Sequence, residues 1–213
     1  MRFPILIVSA AVLSGFQTPP AADRPPMPIA ELHDAAVAVW HPALAGDWAL
    51  VSSRMDTVET AASHLPAHAG KPDLIRQLNG RLTSLRRAVR GREAIAAATE
   101  ANWVARIADE IASTYDTRTP GDVGLLEFFC RAAETDAAAS RQARFSRDVA
   151  DLETVWRRVE PLLLQRKGTD PARRFTDAVV RLDGAKTAAE RKAAADAALV
   201  EEDRVRDAFV NAT

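Results

Sequence analysis

Leu125 to Glu160 reads LLEFFCRAAETDAAASRQARFSRDVADLETVWRRVE, a run without a single glycine or proline. A stretch this long, free of breakers and without apolar/polar alternation, points to helix rather than strand. Its apolar positions do not share one face. Leu125, Phe129 and Ala132 lie together, whereas Phe145, Val149, Leu152, Trp156 and Val159 fall about half a turn away on the same helical wheel. One straight helix cannot turn both stripes to a common core, so a break is expected near Ser140 to Ala143, giving two antiparallel helices.

Upstream, Ile29, Leu32, Ala36, Val39, Trp40 and Ala43 make the stripe of a first helix, which Pro42, Gly46 and Asp47 end. Trp48, Val51, Met55, Val58, Ala62 and Leu65 form the stripe of a second, closed by Leu65-Pro66. A third starts near Pro72 and carries Leu78, Leu82, Leu85 and Val89, and Gly91 separates it from a fourth ending near Tyr115. Asp116 to Asp122 (DTRTPGD) is the clearest linker. Beyond Glu160, helices are expected from about Asp170 to Leu182 and from about Ala188 to Phe209.

Alanine makes up about a fifth of the chain, and the hairpin dipeptides are confined to Asn79-Gly80 and Asp183-Gly184. The fold class is therefore all-α, an antiparallel arrangement of seven to eight helices. Shifting the sequence by 97 residues pairs Leu85 with Leu182, Glu93 with Glu190 and Ala96 to Ala98 with Ala193 to Ala195. Two related four-helix units are expected on that basis, unit 1 over 29–116 and unit 2 over 117–213, the second a duplication of the first. A continuous solenoid is the competing architecture.

The N-terminus reads as an export signal. Met1-Arg2 supplies a positive start and Phe3 to Leu13 (FPILIVSAAVL) an apolar run too short to cross a bilayer, which needs about 20 residues. A signal peptide over 1–22 is expected, cleaved somewhere between Gly15 and Ala22, with a Pro-rich tether over 23–28. Phe16 stands where a lipoprotein signal needs cysteine, which excludes that anchor. No membrane span is expected after cleavage, and the location is periplasmic or secreted. The single cysteine, Cys130, permits no disulfide within the chain and excludes covalent haem attachment and Cys-rich zinc sites; a small apolar packing role is expected for it.

Among 213 residues, 28 Lys+Arg balance 29 Asp+Glu, a net charge of -1, which argues against nucleic acid as a partner. No nucleophile elbow, phosphate-cradling loop or paired acidic motif is present, so no catalytic residues are assigned. The reading is a non-catalytic protein that binds a partner or a small ligand.

The alternative is metal or non-covalent haem. All four histidines, His33, His41, His64 and His68, fall between residues 33 and 68. His33 lies on the apolar stripe of the first helix, and pairing the hairpin about Gly46 sets it opposite Glu59 with Met55 a turn away. His33, Met55, Glu59 and flanking His41 are thus the candidate ligands for copper, zinc or haem, the thioether favouring copper and the carboxylate zinc. Against this stands a plain core histidine. Arg76, Arg86, Arg87 and Arg90 cluster opposite the apolar stripe of the third helix, a candidate anion or partner surface, although a solvated outer face is the favoured reading. The Glu201-Glu202-Asp203 run is expected to be solvated, and the four tryptophans to pack in cores or line a pocket.

Overall fold

The structure, a computed structural model, describes residues 27–65, 71–115 and 119–211. Within them the chain is all-helical: α1 (Met27–Ala45), α2 (Trp48–Ser63), α3 (Pro72–Gly91), α4 (Ala94–Ala112), α5 (Gly121–Ala138), α6 (Gln142–Gln165), α7 (Thr169–Gly184) and α8 (Ala188–Asn211). None of these helices is long and apolar enough to cross a membrane. The export segment over 1–22 and His68 lie outside the described residues; of the Pro-rich tether, Met27 and Pro28 already belong to the first turn of α1.

Local chemistry accounts for the boundaries. Gly46 takes φ 74°, a left-handed turn that favours glycine, and the Asp47 carboxylate then caps α2 by accepting the Leu50 N–H at 3.1 Å. Pro72 opens α3, where its missing N–H costs nothing. The expected break after α5 occurs at Ser140, which adopts φ 55°. Two prolines sit inside helices, and Pro42 therefore does not end α1 as expected. Pro42 sits inside α1, three residues before its end, and α6 runs on through Pro161 to Gln165.

The packing follows one pattern twice. In the first unit α1 packs on α2 and α4, and α3 on α4; in the second α5 packs on α6 and α8, and α7 on α8. The helix starts Met27, Trp48 and Ala94 recur at Gly121, Gln142 and Ala188, each 94 residues on, whereas Pro72 and Thr169 are 97 apart. The 97-residue shift read from the sequence thus fits only α3 and α7, and the shared packing does not by itself establish a duplication. Each unit has its own apolar core, centred on residues such as Leu32, Val39, Leu85 and Ile111 in one and Leu126, Leu152, Phe175 and Phe209 in the other. The units meet mainly through α4 and α5, and Trp40 on α1 donates a hydrogen bond to Thr135 on α5 at 2.9 Å.

α5 overturns its sequence reading. Its core face is Val123, Leu126, Cys130, Ala133 and Ala137; Leu125, Phe129 and Ala132, the expected stripe, are only half-buried. The helix is covered on most sides, so apolar periodicity carries little information about which side meets the core. Cys130 is fully buried there, and burial pushes its thiol well above the ordinary range.

Candidate functional site

Buried charge between the two cores marks the site. α1 contributes His33, α4 Asp109, α5 Glu127 and Arg131, and α8 Glu202 and Arg206. Ionised groups are rarely buried without partners, because desolvation costs several kcal/mol per ion. Each unit places groups from its first and fourth helices here, and His33 and Glu127 are related by the same 94-residue spacing that relates α1 to α5.

His33 is the centre. Its Nδ1 lies 3.1 Å from Asp34 Oδ1, and this hydrogen bond holds the Asp34 carboxyl below its usual range. Its Nε2 lies 3.3 Å from Glu127 Oε2 and 3.6 Å from Asp109 Oδ2, and it makes no hydrogen bond. In the tautomer that carries its proton on Nδ1, facing Asp34, Nε2 is an acceptor facing two more acceptors. Three lone-pair atoms in that arrangement repel unless a proton or a cation lies among them.

The carboxylates are positioned with care. Glu127 is clamped by two guanidiniums, Arg131 on Oε1 and Arg206 on Oε2. Asp109 lies against the α5 backbone because residue 124 is glycine: a Cβ there would stand 2.5 Å from Asp109 Oδ2. Burial raises the Asp109 carboxyl, with the positive charge of Arg206 opposing it. Glu202, fully buried, is pushed well above its usual range by burial, and next by Asp203, Asp109 and Asp207. Its neighbour Arg206 is pushed down by burial. A pocket of about 290 Å³, with Asp109, Ser113, Gly124 and Arg206 in its walls, borders the site on the Asp109 side.

Compared with known proteins, the chain matches no family model, no curated protein and no solved structure.

Of the expected ligands, only His33 lies here. Glu59 is exposed and accepts a hydrogen bond from Arg86 at 2.8 Å, Met55 is buried in the first core, and His41 is exposed beside Trp40. Among the described residues, the one group of three His, Cys, Asp or Glu side chains spaced to hold a metal is His33, Asp109 and Glu127, whose donor atoms all lie within 4.8 Å of one another. The α3 arginines are likewise on the outside, where Arg76 pairs with Asp73 and Arg86 with Glu59. Glu202 is the further correction, since the acidic run holding it is not uniformly solvated.

A second concavity lies between α4, α5 and α6, with a volume of about 490 Å³. Trp103, Phe128 and Phe129 form its apolar wall; the Trp103 and Phe128 rings are 4.7 Å apart, and those of Phe128 and Phe129 5.1 Å. Asp136 and Asp148 stand together in its lining, and burial followed by the charge of Asp136 pushes Asp148 up to about 7.

Proposed function

We propose that this is a divalent-metal-binding protein of the extracytoplasmic space, its ion held by His33 Nε2, Asp109 Oδ2 and Glu127 Oε2 between two four-helix units. The observation that carries the reading is the buried His33 Nε2, without a hydrogen-bond partner, beside two carboxylate oxygens at 3.3 and 3.6 Å. With bonds of about 2.0–2.2 Å, a tetrahedral zinc ion sets its ligand atoms about 3.3–3.6 Å apart, the spacing of His33 Nε2 from each of the two carboxylate oxygens. One nitrogen and two oxygens, with no sulfur, disfavour copper(I), and a tetrahedral rather than square-planar spacing of the donors favours zinc over copper(II). The Asp34 hydrogen bond to Nδ1 is the outer partner that fixes the tautomer of a metal-bound histidine, and Arg131 and Arg206 orient Glu127 while leaving each oxygen a second lone pair. Three protein donors leave a fourth position to water or a ligand arriving through the pocket beside Asp109 and Arg206. The signal-like residues 1–22 support the periplasmic or secreted location.

Calorimetric titration of the chelator-treated, tag-free protein with zinc tests this. One ion is expected per chain, retained in His41→Ala and lost in His33→Ala, with helicity unchanged in both. If a second ring proton fills the place of the ion, the native protein takes up no zinc and the proposal fails. Equal uptake by His33→Ala would overturn it as well.

A further inference from the structure

The pocket between α4, α5 and α6 stands apart from the metal centre and has the make-up of a small-molecule site. Its volume of about 490 Å³ falls within the usual span for such sites, and it combines an aromatic wall with a few converging polar groups. Packing alone does not explain that combination. Leu125, Phe129 and Ala132 form an apolar strip on α5 that neither core covers fully. Asn102, 3% exposed, donates through Nδ2 to the Phe128 carbonyl at 2.9 Å, yet its Oδ1 has no partner. An unpaired buried amide oxygen costs stability unless something bonds to it.

The charges at the pocket specify a ligand class. Asp136 on α5 is 7% exposed and faces Asp148 on α6, two carboxylates sharing one site. Arg141 offsets Asp136 from 3.8 Å, the charge of Arg144 acts on both Asp136 and Asp148, and Arg106 is already committed to Glu110 at 3.0 Å. Arg144 and Arg147 of α6 are exposed at the lining, as is Asp151. A cation suits the aspartate pair, an anion suits the two arginines, and an apolar body suits the aromatic wall.

We propose that this pocket binds a small zwitterion with an apolar or aromatic body, of the amino-acid type. Its ammonium sits on Asp136 and Asp148, its carboxylate faces Arg144 and Arg147, and its apolar part lies against Trp103, Phe128 and Phe129. The two single-charge analogues of such a ligand each lose one of these interactions.

Three probes separate the contributions: L-phenylalanine, phenethylamine, which lacks the carboxylate, and 3-phenylpropanoate, which lacks the amine. Titrated by NMR with a chelator present, so that the metal centre plays no part, L-phenylalanine should saturate one site and shift Asn102 and Trp103. Each analogue, and Asp148→Asn or Phe129→Ala with the zwitterion, should bind about tenfold or more weakly. Phe129→Ala checks the aromatic wall where Asp148→Asn alters the charge, and circular dichroism confirms that both remain folded. No binding of L-phenylalanine at millimolar concentration overturns the proposal, as does an analogue binding equally well or an Asp148→Asn protein that binds like the native one.

Discussion

At the scale of single residues, two residues that would touch no metal control the proposed centre. Asp34 fixes the His33 tautomer from outside, although its own side chain is 83% exposed. Asp34→Asn should therefore leave stability nearly unchanged while weakening zinc affinity about 10–100-fold, the usual effect of losing an outer hydrogen-bond partner. Competition against a chromogenic chelator measures this, and an unchanged affinity would mean that Nδ1 needs no fixing. Gly124 acts by its lack of a side chain. Gly124→Ala brings a methyl group to 2.5 Å from Asp109 Oδ2, so the carboxylate must move. A loss of about 1–3 kcal/mol in denaturant unfolding is expected, together with weaker zinc binding.

At the scale of helices, the ends show which turns are costly. Arg92 ends α3 in the left-handed region at φ 52°, where its N–H reaches the Ala88 and Val89 carbonyls. Glycine adopts this conformation without a Cβ clash, so Arg92→Gly should stabilise the fold by up to about 1 kcal/mol, seen as a higher denaturant midpoint at unchanged slope. A lower midpoint would show that the arginine side chain matters more than the backbone.

The helices themselves were readable in the sequence because most are amphipathic against one core: all six residues of the α1 stripe, Ile29 through Ala43, are buried. α5 was not readable in this way. It meets the second core on one side and buries Glu127, Arg131 and Glu134 on others, so its burial follows contacts with α4, α6 and α8 rather than a period. The site was half legible for the same reason. His33 stands out as a histidine on an apolar stripe, but Asp109 and Glu127 come from helices whose approach to α1 depends on how the two units dock, and local spacing cannot report that. The hairpin pairing instead favoured Glu59, which faces outward to Arg86.

At the scale of the whole molecule, two cores joined across buried charge make stability sensitive to pH. Burial and then the charge of Asp196 push Glu134 up to about 7, and Asp148 lies at about 7 as well. A carboxyl whose folded value is raised binds its proton more tightly when folded, so the fold loses stability as pH rises from the ordinary carboxylate range through about 7. The groups held low, Asp34 and Asp122 among them, act below this window. The metal-free protein should therefore melt at a higher temperature at pH 5.5 than at pH 8, and Glu134→Gln should reduce the difference. A melting temperature that rises over that interval would contradict the placement of these carboxyls.

The junction is also where the central claim is most exposed to test. Crystals of the protein grown with zinc, measured at the zinc absorption edge, should show one anomalous peak between the two units, about 2.0–2.2 Å from His33 Nε2, Asp109 Oδ2 and Glu127 Oε2. A junction without a peak, with zinc found only at surface groups such as His41, would contradict the account.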